Sequence, residues 1–378
     1  MVAAAALLAL IAALPDLAPA RPAGDAFGGA GVEAVRARIV EFLPASAPDA
    51  EVPPSGLEPD VLAEILEGER AGQQVRAVLQ GPAGELDVPN YRIGDEVIVT
   101  FIPQPGEPEF VAITDRWRLP ILAGLAALFA AIVLVVGGWR GFRAVLALAL
   151  TVAIVLRIVI PLLLQGVSPL PLALGVAAAV TVITIGLTEG LSRRSLAAIL
   201  GTVAALALTA ALSALVTAAA AFTSAAGTDL IYLQTAPGAT FDVRGMLLAA
   251  FIFGALGVLD DVTVTQAATV EELSQRAGLR GGALLGSALN VGRSHIAATI
   301  NTLFLAYVGA SLPLLVLFTV AQQPPLITLN DEVVAVEVVR TIVGSIGIVA
   351  AVPLTTLIAT WLVAPATPRA TVPGGPAS

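Results

Sequence analysis

The chain has 378 residues, is 57% hydrophobic with a mean hydropathy of +0.92, and carries a net charge of −9 with no cysteine and one histidine. Those counts exclude disulfides, thiol catalysis and zinc sites built on thiolates or several imidazoles, and the absence of lysine removes Schiff-base and phosphate-loop lysine chemistry. Acid is concentrated at the front: 18 of the 28 acidic and 8 of the 19 basic residues precede Leu119, leaving 10 acidic against 11 basic residues beyond it, a net +1. No clustered basic face for nucleic acid is present.

In chain order, Val2 to Leu14 is a short apolar run followed by Pro15, Asp16 and Ala18-Pro19-Ala20. At 1.5 Å per residue it spans roughly 20 Å, short of a bilayer core of about 30 Å, so residues 1–20 read as a signal peptide or short signal anchor. Residues 30–116 change texture. Val61 to Leu66, Val75 to Leu79, Glu96 to Phe101 and Phe110 to Ile113 are short runs broken by Gly68-Glu69, Gly81-Pro82, Gly94-Asp95 and Pro105-Gly106. Val97, Val99 and Phe101 alternate with Glu96 and Thr100, a period near two. A small barrel of SH3-like or OB-like type follows, because closing a short meander removes its exposed edges. Without the aromatic and basic surface of nucleic-acid-binding OB folds, it reads as a scaffold or partner-binding domain. The stretch from Pro44 to Pro59, rich in Glu and Pro, reads as a loop.

From Leu119 hydropathy dominates, and residues 119–365 predict a polytopic all-α membrane domain of about seven helices, ahead of a disordered tail, 366–378. The spans fall near Leu119 to Val136, Ala144 to Leu164, Pro169 to Leu187, Leu196 to Phe222, Gly245 to Leu259 with a polar extension, Ile296 to Val320 and Val338 to Val363. Arg140 and Arg143 mark the first connection, Arg193 and Arg194 the third, Arg276, Arg280 and Arg293 the fifth, and Arg369 the tail. The positive-inside rule puts those segments and the C-terminus in the cytoplasm, with the β domain and the loop from Thr223 to Arg244 extracytoplasmic.

Polar groups inside such spans are costly and mark sites or locks. Arg157 either snorkels toward Gln165 or makes an ion pair, and Glu189 is a solvated partner for Arg193 and Arg194. Gly254, Gly257, Gly344 and Gly347 permit close helix approach. Asp260 and Asp261 end an apolar run from Gly245, and helical spacing puts Asp261 and Thr265 on one face. Asn290, Ser294, Ala297 and Asn301 form a second stripe, with His295, Thr299 and Thr302 beside it. Two striped helices joined by a loop of some twenty residues would set carboxylates, amides, Arg293 and His295 around one cavity. The bland alternative is a hydrogen-bond clamp with an ion pair from Arg293 to an aspartate.

Five ordered strings closely resemble the YibE/F-like family of bacterial membrane proteins: Phe241-Asp-Val-Arg-Gly-Met-Leu-Leu-Ala-Ala250, Gly254-Ala-Leu-Gly-Val-Leu-Asp-Asp-Val262, Asn290-Val-Gly-Arg293, Thr302 to Leu315, and Val339 to Gly347. Leu196 to Thr202 is similar as well, and the likeness covers roughly residues 110–365. The resemblance implies a fold and a bacterial cell-membrane location rather than a reaction. It marks the aspartate after Gly-Ala-x-Gly, the pair Gly292-Arg293, and Asn301 to Pro313. Relatives continue the aspartate motif with Val-Ala-Met-Ser where this chain has Val262-Thr-Val-Thr265, which leaves open whether Asp260 or Asp261 is equivalent.

The expectation is a multi-pass permease-like protein for a small solute or ion, coupled to a proton or cation. Its site would comprise Asp260, Asp261, Thr265, Asn290, Arg293, His295 and Asn301, with Ser311 to Pro313 as a flexible point. The alternative is a non-transporting envelope scaffold whose β domain binds a partner. An intramembrane enzyme is the weakest reading, since neither a catalytic triad nor metal-ligand spacing appears. No cofactor or metal is expected; the partners are the bilayer, the solute or ion, and a second copy or another membrane protein.

Overall fold

The computed structural model describes residues 32–43, 60–79, 91–104, 108–223, 242–322 and 324–362. The signal-peptide segment, the tail, the stretch from Pro44 to Pro59 and most of the loop from Thr223 to Arg244 lie outside them. The chain divides into two compact units, one running from the β region to Val135 and the other from Val136 onward.

The first unit is a closed barrel of β1 (Glu33–Phe42), β2 (Asp60–Ile65), β3 (Gln74–Leu79), β4 (Glu96–Ile102) and β5 (Phe110–Arg116), in the order β1-β2-β3-β5-β4. It is not the meander expected from sequence. β1 closes the barrel by pairing with β2 on one edge and β4 on the other, Ala37 facing both Ile65 and Val97, and β3 runs parallel to β5. That order is of the OB type rather than the SH3 type. β1 was absent from the expected runs although it carries the same period of two: Val35, Ala37 and Ile39 point in, Arg36 and Arg38 out. With Val61, Ala63, Ile65, Val97, Val99, Phe101 and Ile113 they form the apolar core of the barrel.

The helices are α1 (Leu119–Ile154), α2 (Ile160–Leu164), α3 (Pro169–Thr188), α4 (Arg193–Ala219), α5 (Val243–Arg276), α6 (Gly281–Ala310), α7 (Leu312–Val320), α8 (Pro325–Asn330) and α9 (Glu332–Leu362). Among the described residues, five helical runs are long and apolar enough to cross a membrane, and α6 with α7, bent by 56°, adds a sixth if the pair counts as one span. The first two expected spans lie in one 46-residue run, 119–164. Gly138 interrupts it at φ 52°, ψ −130°, a conformation glycine alone adopts cheaply. Between α1 and α2, Val155–Val159 is a π turn. Pro161 cannot donate to the carbonyl of Arg157 and its ring crowds it, so the turn widens and the Ile160 amide donates to Val155 O.

Within the bundle, α4, α5 and α9 surround the main apolar cluster, which includes Leu206, Ile252, Leu259, Ile348 and Val352. Small residues bring these helices close. A Cβ on Gly201 would strike Thr355 of α9, and one on Gly347 would strike Thr209 of α4. Those two contacts also show that α9 runs antiparallel to α4. Ser192 caps α4 by accepting the Ser195 amide at 3.0 Å, and Asp242 caps α5 by accepting the Gly245 amide at 2.8 Å.

Candidate functional site

Successive residues on a helix point about 100° apart, so Asp260 and Asp261 cannot both face the interior. The structure turns Asp260 inward, while Asp261 is exposed. Thr181 of α3 donates to Asp260 Oδ1 at 3.0 Å, and the hydroxyl of Thr184, one turn on, lies 3.3 Å from Oδ2. Thr202 of α4 brings a third hydroxyl to the carboxylate, with Thr263 competing for its single proton. Thr202 is itself 2.6 Å from Thr263 Oγ1, which donates back to the Asp260 carbonyl at 3.2 Å. Thr181, Thr202 and Thr263 are fully buried. No arginine or histidine hydrogen-bonds this carboxylate among the described residues. Thr184 has a single proton, and the Val180 carbonyl at 2.8 Å competes for it. The carboxylate is therefore under-solvated by protein donors.

Two turns along α5, Gln266 makes a contrasting arrangement. Its two amide protons go to the Ala288 carbonyl at 3.0 Å and to Thr356 Oγ1 at 2.7 Å, and Thr356 in turn donates to Val352 O. Gly292 of α6 packs so closely that a Cβ there would lie 2.8 Å from Gln266 Oε1. That layer is a lock between α5, α6 and α9. At the arginine end of the bundle Arg194 bridges Glu189 at 2.5 Å and Glu271 of α5 at 3.3 Å, so Glu189 is a paired group. At the opposite end Arg340 pairs with Glu337 at 2.7 Å and lies 5.4 Å above the Phe251 ring.

The other expected residues are not gathered around Asp260. Thr265 is exposed like Asp261, and so are Asn290 and Arg293. Arg293 donates to Asn290 Oδ1 on its own helix at 3.2 Å, and no ion pair joins it to either aspartate among the described residues. His295 is half-buried, with Nε2 lacking a partner. The expected twenty-residue loop is Ala277 to Arg280, because Leu284, Ala288 and Gly292, at helical spacing, continue α6 back to Gly281. Arg293 is consequently in mid-helix rather than in a connection. Asn301 lies in an apolar groove of about 570 Å³ with Phe304 of α6 and Thr341 and Ser345 of α9. Ser311 and Pro313 sit at the 56° bend between α6 and α7.

Sequence reasoning missed Thr181, Thr184, Thr202, Gln266, Glu337 and Arg340. One signal was available, since Thr181 and Thr184 are hydroxyls at i and i+3 in an otherwise apolar span. Among the described residues no group of three or more His, Asp or Glu is placed to hold a metal ion. A carboxylate ringed by hydroxyl oxygens suits a proton or a small hard cation.

These features define a multi-span membrane protein with an N-terminal five-stranded barrel. Residues 125–365 match the YibE/F-like protein family, and the chain belongs to that family. No curated protein matches the chain, and no solved structure does.

Proposed function

We propose that the protein is a permease-like carrier in which Asp260 binds a proton or small cation that is coupled to movement of a small solute or ion. The observation that carries this reading is a carboxylate inside the bundle met only by hydroxyls of neighbouring helices. A structural aspartate would be expected to find a cation or a full set of donors, because an uncompensated buried charge is expensive. The proposed role is transport rather than catalysis, and the bilayer is the principal partner.

The proposed topology has seven spans. A 46-residue helix is about 69 Å long, more than twice a bilayer core, and the Gly138 break lets Leu119 to Val136 and Ala144 to Leu164 cross separately. The connections holding Arg140 and Arg143, Arg193 and Arg194, and Arg276 and Arg280 then share the cytoplasmic side. The barrel is extracytoplasmic, the C-terminus is cytoplasmic, and Asp260 lies about 25 Å along α5 from its outer end at Val243.

Sodium and proton uptake into vesicles containing the full chain tests the reading. Asp260→Asn keeps size and hydrogen bonding but removes the charge, so uptake should fall to background with insertion intact. Asp261→Asn should leave it within about twofold. Undiminished uptake by Asp260→Asn would remove Asp260 as the coupling site, and uptake by the native chain no greater than that of protein-free vesicles would return the protein to the scaffold reading.

A further inference from the structure

Helix α4 carries Ser195, Thr202, Thr209, Ser213 and Thr217, all buried. At 100° per residue these five fall within about 80° of arc. They cover 23 residues, about 33 Å of helix, close to the thickness of a bilayer core. Small polar residues along a packed helix often do no more than bond the carbonyl one turn back. Thr151, Thr184, Thr341 and Thr356 do this elsewhere in the bundle, and Thr209 does it within the row.

Ser213 and Thr217 do not. Among the described residues both hydroxyls are fully buried with no hydrogen-bond partner, as is Thr355 of α9. The Thr355 hydroxyl is the nearest group to the Cβ position of Gly201, beside Thr202. The row is therefore met by an unpartnered hydroxyl from a second helix at the level of Asp260. Buried polar groups left without partners in an apolar bundle are costly unless water or an ion serves them. The only cations of α4, Arg193 and Arg194, lie in its first turn, at the cytoplasmic end of the row. A hydroxyl can donate or accept, and it is the Asp260 carboxylate at the inner end of the row that favours a cation over an anion.

Between Thr202 and Thr217 one residue breaks the sequence of hydroxyls. Leu206 falls on the same face, about 20° from Ser213 by the helical repeat, and is 2% exposed between Thr202 and Thr209. An apolar constriction between wettable stretches closes a path by excluding water.

We propose that Thr209, Ser213 and Thr217 form a hydrated half-path for a small hard monovalent cation, a proton or alkali ion, between the outer end of the bundle and Asp260, with Leu206 as its gate. The proposal rests on the reading of Asp260 and the topology above.

The native chain lacks cysteine, so single cysteines report on the path without background. In right-side-out vesicles treated with a cationic, membrane-impermeant methanethiosulfonate, Ser213→Cys and Thr217→Cys should react at least tenfold faster than Leu208→Cys, which faces away from the core. Thr223→Cys serves as the exposed control. Thr202→Cys should be protected, and should gain at least tenfold in rate when Leu206→Ala is added. Ser213→Cys and Thr217→Cys reacting no faster than Leu208→Cys, while Thr223→Cys is modified, would overturn the path; a Thr202→Cys rate unchanged by Leu206→Ala would overturn the gate. Adding Asp260→Asn separates the two readings. Labelling that persists while Asp260→Asn still transports would keep the path and remove Asp260 as the coupling site. Lost transport without labelling would keep Asp260 and remove the path. Leak through Leu206→Ala under a pH gradient or a sodium gradient alone identifies which cation passes.

Discussion

In the barrel the charges lie outside and answer one another, whereas in the bundle the polar groups lie inside and several go unanswered. Arg36 meets Glu96 at 2.7 Å, Arg116 meets Asp95 at 2.8 Å and Arg70 meets Glu109 at 2.8 Å, around an interior whose buried side chains, among the described residues, are all apolar. In the bundle the surface is leucine, valine and isoleucine, while Ser213, Thr217 and Thr355 are buried without a hydrogen-bond partner among the described residues and the half-buried Asp260 is met by hydroxyls alone. Water makes the first arrangement stable and lipid permits the second, since a helix in lipid gains nothing by hiding apolar side chains. Incomplete bonding in the bundle is therefore not needed for folding, and it is where a ligand would complete the structure.

The largest test exchanges the two interiors. Val99 is fully buried in the barrel, and Val99→Asp should abolish barrel folding, a cost above about 4 kcal/mol, with circular dichroism of the 30–117 fragment losing its strand signature. The opposite change, Asp260→Leu, should leave thermal stability in detergent unchanged or raised while uptake disappears, because it removes a charge that no cation compensates. A melting temperature lowered by more than a few degrees would show that Asp260 is a structural group after all.

Next come the glycines, which separate helix contact from helix content. A Cβ on Gly201 would press on the Thr355 side chain and lie 3.2 Å from its backbone, so Gly201→Ala should cost about 1–3 kcal/mol. Gly257 has nothing within 4 Å, and Gly257→Ala should be neutral or stabilise by up to about 1 kcal/mol through helix propensity. Differential thermal melting of the two variants decides it. Equal effects would mean that α4 and α9 are not held at this distance.

Legibility followed the same division. In the barrel each strand has one wet and one dry face, so a period of two is written into the residues, and β4 was readable from Glu96 to Phe101 with one residue added by the structure. What could not be read was the closing order, because the pairing of β1 with β4 joins residues some sixty positions apart. The apolar spans were readable by length and hydropathy, and the chain's place in its family by ordered motifs. The direction in which each polar residue points was not. An apolar helix in lipid has no wet side to mark its dry one, so Asp261 with Thr265 looked as good a stripe as Asp260. The decision belongs to Thr181 and Thr184, 79 and 76 residues earlier. Polar stripes also point to Asn290 and Arg293, whose exposure belongs to a helix that starts at Gly281 rather than near Ile296.

The smallest effect returns to the barrel surface. The hydrogen bond from Arg36 holds the Glu96 carboxyl below its ordinary value, and a bond from Arg38 adds to it. A carboxyl whose folded value is depressed contributes stability that is present above its unfolded value, near 4.3, and lost as pH falls through the lower, folded value. Glu96→Gln removes that contribution at neutral pH and should leave the barrel with a flatter acid limb, so the urea midpoints of the two fragments converge as Glu96 becomes protonated. Both partners are partly exposed, so the difference should be small and should shrink further in molar salt. Arg36 also lies 5.2 Å above the Trp117 ring, a contact that needs no carboxylate and survives protonation. The Arg36→Met variant should therefore lose more stability than Glu96→Gln at neutral pH, and should keep a residual deficit in acid where Glu96→Gln shows none. Equal loss from the two substitutions at every pH would assign the whole effect to the ion pair and leave the ring contact without a share.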